Sequence, residues 1–201
     1  MLFSIFGWLT DLVSGHWWTY ALVFGLAAID VDVPLVPAET VVIVAAIAAA
    51  NGKLSLWVVV ACAWAGAVLG DNFTYWLGRK AGEPAYRRLF RGGKAERRYE
   101  WAKRVLDEHG AWIVPAARFV PGGRTATTFA AGGVEMRYAV FLAAEVAAAL
   151  AWALYVSLIG YLGGRTFAAS SWKSFAVAFG IAAAISAAGV VYWRVEERRS
   201  E

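Results

Sequence analysis

Cysteine, histidine and charge are all scarce in this chain. Of its 201 residues one is cysteine, Cys62, and it lies inside an apolar run. No intramolecular disulfide can form, and the plain role of that thiol is buried packing. The two histidines, His16 and His109, stand far apart with no Cys/His cluster around them. That leaves no ligand set for a zinc site, and no cofactor is implied. Charged residues make up 17% of the chain, against about 25% in soluble domains. Apolar residues take their place, at 60% with a mean hydropathy of +0.54. A soluble globule of this size leaves about a third of its unfolded surface exposed and could not hide so much apolar area. A soluble enzyme, a disordered chain and a disulfide scaffold all fit poorly; an integral membrane protein fits well. Residues 1–16 lack the basic region and cleavage motif of a signal peptide and read as an N-terminal amphipathic segment.

A bilayer core of about 30 Å takes about 20 apolar residues of helix. Ser174 to Trp193 carries no charge, Tyr138 to Gly164 carries only Glu145, and Leu54 to Leu77 carries only Asp71. Trp17 to Ile29 reaches spanning length only with Asp30 to Leu35 added. Trp17, Trp18, Tyr20, Tyr75, Trp76, Tyr192 and Trp193 cluster at span ends, as interfacial aromatic belts do. Two other apolar segments are interrupted. Leu35 to Asn51 has Pro37 and Glu39 near its start, and Trp112 to Gly133 contains Pro115, Arg118, Pro121, Gly122, Gly123, Arg124 and a Gly132-Gly133 pair. Broken helices survive at membrane depth only inside protein or beside a watery cavity. Both segments are therefore expected to be re-entrant hairpins turning at Pro37 and at Pro121-Gly122-Gly123. The expected fold is an all-α polytopic membrane protein, with about four transmembrane helices and an inverted repeat of two opposed re-entrant helical hairpins. One membrane domain over residues 17–193 would be followed by a short tail, 194–201.

The basic residues set the orientation. Ten of the nineteen fall between Arg79 and Gly110, so this 79–110 loop is expected on the cytoplasmic side. Within it Tyr99, Ala102, Val105, Leu106 and His109 recur at helical spacing. An amphipathic helix on the inner leaflet is the plain expectation, with a protein-docking face as the alternative. Counting crossings outward from this loop places both termini in the cytoplasm, provided that 35–51 turns back rather than spans.

The two interrupted segments echo each other: Val36-Pro37-Ala38-Glu39-Thr40 and Val120-Pro121-Gly122-Gly123-Arg124-Thr125. Each precedes a long apolar helix with one acid, Asp71 or Glu145. Inverted repeats with broken helices are the architecture of secondary transporters, whose sites lie near the midplane. Asp30, Asp32, Glu39, Asp71 and Glu145 with Arg118 and Arg124 make seven charges in or beside apolar segments. Each costs about 2.5–3.5 kcal/mol or more at the bilayer centre. Buried ion pairs such as Glu39–Arg124 that merely hold the hairpins together are one explanation; but replacing a buried pair by apolar residues is often neutral or stabilising, so stability is a weak reason to keep one. The other explanation is a polar cavity for an anion. Guanidinium groups present a planar fork of donors that suits phosphate or carboxylate and keeps its proton. Arg118 and Arg124 flank a glycine-rich turn whose backbone amides can add to anion binding, and Thr125, Thr127 and Thr128 offer hydroxyls. A carboxylate such as Glu39 could compete for the arginines or carry a proton against the anion.

At these residues the sequence resembles the DedA family, also called the VTT-domain or SNARE-associated Golgi protein family. The matching stretches are Pro37-Ala38-Glu39-Thr40, Gly70-Asp71-Asn72-Phe73-Thr74-Tyr75-Trp76-Leu77-Gly78-Arg79, Arg118-Phe119-Val120-Pro121-Gly122-Gly123-Arg124-Thr125 and Gly160-Tyr161-Leu162-Gly163-Gly164, covering about Ala28 to Arg165. The resemblance implies a bacterial inner-membrane protein that moves lipid phosphates, notably undecaprenyl phosphate returning from the outer to the inner leaflet, or phospholipids. It carries the family's essential acids onto Glu39 and Asp30, and its essential arginines onto Arg118 and Arg124. Ala38 departs from the glycine or serine usual there, and the upstream acid is usually glutamate.

The leading expectation is a lipid-phosphate translocase, a flippase rather than an enzyme. Arg118, Arg124 and Thr125 would bind the phosphate, and Glu39, Asp71, Asp30 and Glu145 would be coupling or gating acids. The partners are the lipid phosphate and the membrane, with no nucleic acid and no metal. The alternatives are a proton-coupled ion or small-cation transporter, a phospholipid scramblase, and a non-transporting scaffold. A lipid phosphatase fits least, since neither histidine neighbours the arginines in sequence. Gly66–Gly70 and Gly160–Gly164 form small-residue faces that suit close helix contact, within one chain or in a homodimer.

Overall fold

The structure is a computed structural model, and it describes residues 17–30, 38–89, 93–118 and 123–166. The amphipathic segment 1–16, Asp32, Pro37, Pro121, Gly122, the span Ser174–Trp193 and the tail 194–201 lie outside them. The described residues are helical, without a strand among them: α1 (Trp18–Ile29), α2 (Ala38–Ala50), α3 (Leu56–Leu89), α4 (Gly93–His109), a 3-10 turn (Gly110–Trp112), α5 (Ile113–Ala117), α6 (Gly123–Gly133) and α7 (Tyr138–Thr166). Two stretches are long and apolar enough to cross a membrane: Leu56–Ala81, 26 residues, and Tyr138–Thr166, 29 residues. At 1.5 Å per residue these run about 39 and 43 Å, more than the hydrocarbon core requires. Helix α3 continues to Leu89, so the basic stretch after Arg79 begins as helix and not as loop.

The chain divides into two compact units. The first holds α1, α2, α3 as far as Ala67, and α7 from Leu150 onward. Its centre is α2, where Val41, Val42, Ile43, Val44, Ala45 and Ala46 are all buried; a helix apolar all round has to be covered all round. The turn expected at Pro37 lies outside the described residues. Ala38–Ala50 contains no proline or glycine and forms one unbroken helix, while Pro34 and Pro37 precede it and Asn51-Gly52 ends it. Its neighbour is α1, whose twelve residues extend about 18 Å, too short to span alone. Small residues bring backbones together, as their spacing predicted. A Cβ on Gly66 would stand 2.3 Å from the Phe24 carbonyl oxygen, one on Gly160 2.7 Å from the Ile43 carbonyl, and one on Gly164 2.8 Å from Ala50 Cβ. The Ser55 amide donates to the Tyr20 hydroxyl at 2.9 Å, tying the start of α3 to α1.

The second unit holds the rest of α3, then α4, α5, α6 and α7 as far as Ala149. Helix α4 lays Tyr99, Ala102 and Leu106 against Ala126, Phe129 and Ala130 of α6, and all six are buried. The apolar face expected on a leaflet is thus covered by the chain itself. The reason is size: Ala126, Ala130 and Gly133 leave room for the Tyr99 ring, whose hydroxyl would lie 2.8 Å from a Cβ on Gly133. His109, expected on that face, is exposed at the helix end. Gly110 ends α4 in the left-handed conformation, φ 62°, where glycine has no steric penalty.

Helices α2 and α6 end alike. After α2, the Gly52 amide donates to the Ala49 carbonyl and the Lys53 amide to that of Ala48, both at 3.0 Å, with Gly52 at φ 76°. After α6, the Glu135 amide donates to the Gly132 carbonyl and the Met136 amide to that of Ala131, both at 3.0 Å, with Glu135 at φ 56°. Each is a Schellman motif, in which a left-handed residue lets two following amides close over the last carbonyls. Each delivers the chain into one of the two long apolar helices.

Candidate functional site

The second unit gathers four of the charges that the sequence leaves without obvious partners. Asp71 lies on α3, Glu145 on α7, Arg118 directly after α5 and Arg124 in the first turn of α6. The Asp71 side chain is fully buried, and those of Glu145, Arg118 and Arg124 are 1%, 3% and 12% exposed. Arg124 Nε donates to both Asp71 oxygens, Oδ1 at 2.9 Å and Oδ2 at 3.1 Å, and Nη2 lies 2.9 Å from Oδ2 as an ion pair. Hydrogen bonds between ionised partners are about twice as strong as neutral ones. Arg118 Nη2 donates to the same Asp71 Oδ2 at 2.7 Å and to Glu145 Oε1. One carboxylate therefore serves two guanidinium groups, and a second acid closes the cluster.

Two acids and two bases cancel formally, which is the condition for burying four ions together: each alone would cost several kcal/mol to take out of water. Chemically the cluster is a pair of arginines converging on one oxyanion, and Asp71 is that oxyanion here. Thr125 is half-buried beside Arg124, and Gly123 is buried at the start of α6. Helices α3 and α6 pack closely in this region. Asp71 meets Arg124, and four to eight residues further on along each helix the backbones nearly touch. A Cβ on Gly78 would stand 2.1 Å from the Phe129 carbonyl oxygen, and one on Gly132 2.0 Å from that of Tyr75.

The other predicted acids belong to the first unit. Glu39 is exposed in the first turn of α2, and its charge acts on Tyr155 of the same unit. Asp30 is half-buried at the end of α1.

The sequence analysis did not single out the supports around the cluster. Tyr75, one turn beyond Asp71, stacks on Phe141 with ring centres 4.5 Å apart and donates its hydroxyl hydrogen to the Met136 carbonyl at 2.5 Å. Arg79, one turn further, donates to the Tyr75 hydroxyl at 2.9 Å and lies over the Trp76 ring. Tyr138 donates to Asn72 Oδ1 at 2.8 Å. The signal for them was spacing: Asp71, Tyr75, Gly78 and Arg79 share one face of a helix, and that face meets α6 and the turn after it.

A membrane protein built on an arginine–carboxylate cluster between apolar helices is the class that this geometry defines. Residues 36–162 match the VTT domain, and the chain belongs to that family, the DedA family. It is 32% identical over 178 residues to the uncharacterized membrane protein slr0232 of Synechocystis, covering 86% of this chain and 80% of that one. It is 31% identical over 145 residues to the inner membrane protein YohD of Escherichia coli, covering 72% and 73%. Against the protein DedA of the same bacterium it is 30% identical over 166 residues, covering 78% and 74%. No solved structure matches it.

Proposed function

We propose that this protein is a lipid-phosphate translocase of the bacterial inner membrane that returns undecaprenyl phosphate from the outer to the inner leaflet. One observation carries the reading: two almost fully buried arginines converge on a single carboxylate oxygen, Asp71 Oδ2. A phosphate headgroup offers the same planar recognition by guanidinium forks, with more acceptor oxygens. In this account Asp71 holds the arginines when no headgroup is present, the headgroup displaces it, and the polyprenyl chain stays in lipid. Neutralising the phosphate is the useful step, because a bare charge in hydrocarbon costs far more than the chain. The shared contact of Asp71 and Glu145 with Arg118 Nη2 supports proton coupling, since two acids drawn together on one donor can share one proton. A cluster holding that proton has a net charge of +1 and is balanced by one phosphate negative charge. The same contact is what favours the second reading, a proton-coupled ion transporter.

The expected result is that Arg124→Ala inserts and folds but no longer lowers the amount of undecaprenyl phosphate exposed on the outer surface of cells that lack other carriers. Wild-type levels of clearance by this variant would rule the proposal out. Proton flux into liposomes free of any lipid phosphate would instead support the ion transporter, and movement of ordinary phospholipids a scramblase.

The proposal also takes the two units as copies of an inverted repeat, each short helix belonging to a re-entrant hairpin. Support comes from the paired Schellman endings and from a second echo. Tyr75-Trp76-Leu77-Gly78-Arg79 and Tyr161-Leu162-Gly163-Gly164-Arg165 both place an arginine over an aromatic ring and a glycine against the short helix of the same unit, α6 for Gly78 and α2 for Gly164. Single cysteines placed on either side of Pro37 should then be labelled from one face of the membrane only, and those around Pro121 from the opposite face only. Labelling of one such pair from both faces would mean a full crossing.

A further inference from the structure

One turn along α6 from Arg124 lies a buried hydroxyl that the fold leaves unused. Thr127 lies one turn beyond Arg124 on α6 and is 1% exposed, and its Oγ1 is buried without a hydrogen-bond partner. Threonines in helices ordinarily return the hydroxyl to the carbonyl one turn back. Thr74 does so to Gly70 at 3.1 Å and Thr166 to Leu162 at 2.8 Å; Thr127 does not. A buried hydroxyl without a partner lowers stability, and valine would fill the same volume without that cost.

We infer that Thr127 is a ligand for the phosphate monoester, a hydroxyl kept unpartnered until the headgroup arrives. The inference rests on the proposed phosphate site and adds to it a residue outside the arginine–acid set. Its placement follows from the helix. Residues three apart are neighbours on a helix surface, so Thr127 stands beside Arg124, which holds Asp71. A phosphate that takes the place of Asp71 on Arg124 has further oxygens to satisfy, and the unpartnered hydroxyl one turn along from Arg124 is that of Thr127. It donates to a phosphate oxygen, and no covalent step is involved.

The test uses the full chain in lipid nanodiscs, with wild type, Thr127→Val, Thr127→Ser and Arg124→Ala. Two probes are titrated, undecaprenyl phosphate and inorganic phosphate alone, and thermal unfolding is followed without either. Thr127→Val should unfold at or above the wild-type temperature and bind undecaprenyl phosphate about tenfold more weakly, the scale of one hydrogen bond to a charged group. Thr127→Ser should recover most of the affinity. A parallel loss toward inorganic phosphate assigns the contact to the phosphate group alone; a loss confined to the lipid assigns it to the headgroup as the chain presents it. Wild-type affinity in Thr127→Val, alongside lost binding in Arg124→Ala, overturns this inference and leaves the phosphate site standing. So does a large drop in the unfolding temperature of Thr127→Val, which would make the hydroxyl structural. Absence of binding in the wild type removes the phosphate site and this inference together.

Discussion

Asp71→Asn should destabilise the protein by about 3–5 kcal/mol, the range for removing one partner of a buried ion pair. The side chain keeps its size, so the loss is one of charge. Arg124 would face an amide where it now holds both carboxylate oxygens, and Arg118 would lose the acceptor that it shares with Arg124. Thermal unfolding of the purified protein in detergent measures the loss. If a phosphate headgroup takes the place of Asp71, undecaprenyl phosphate should stabilise the variant more than the wild type, because the ligand then supplies the missing anion without displacing one. An unfolding temperature close to wild type would mean that Asp71 does not hold the two arginines.

The second large effect is steric. Gly78→Ala adds one carbon at a point where it would stand 2.1 Å from the Phe129 carbonyl oxygen and 2.9 Å from the carbonyl carbon. Both sides of the contact are backbone, so no side chain can rotate away, and α3 and α6 have to separate. Overpacking of this kind costs about 1–3 kcal/mol. The helix propensity gained by replacing glycine, about 1 kcal/mol, offsets only part of it. Gly25→Ala is the control, because a Cβ there has nothing within 4 Å; it should be neutral or slightly stabilising. Equal unfolding temperatures for the two variants would contradict the close packing of α3 on α6.

Much of this was legible in the sequence because the bilayer makes charge conspicuous. Arg118, Arg124, Asp71 and Glu145 stood out as ions in apolar surroundings, and all four meet. Their pairing was not legible. Asp71 and Arg124 are 53 residues apart, and what joins them is the close packing of α3 on α6, which no local pattern encodes. The two long helices were visible as apolar runs with aromatic ends. Within 35–51 the residues after Pro37, Ala38 to Ala50, hold no breaker and are helical, while the turn expected at Pro37 itself lies outside the described residues. The apolar stripe of Tyr99, Ala102 and Leu106 was visible as a stripe; its partner was not, because a leaflet and the small-residue face of α6 ask for the same periodicity. Tyr75 and Arg79 were missed as supports for another reason. Their hydrogen-bond acceptor is the main-chain oxygen of Met136, and a carbonyl carries no sequence signature.

Gly78 and Asp71 lie two turns apart on one uninterrupted helix, one bearing against the α6 backbone and the other held by Arg124. A rod so mounted has no slack between its pivot and its latch. Any axial slip of α3 along α6 at the glycine contact reaches the carboxylate undiminished, and hydrogen bonds of 2.9 Å tolerate only a few tenths of an ångström. Opening the latch is therefore an all-or-none event: the Asp71–Arg124 ion pair and the mechanical state of the helix pair change together.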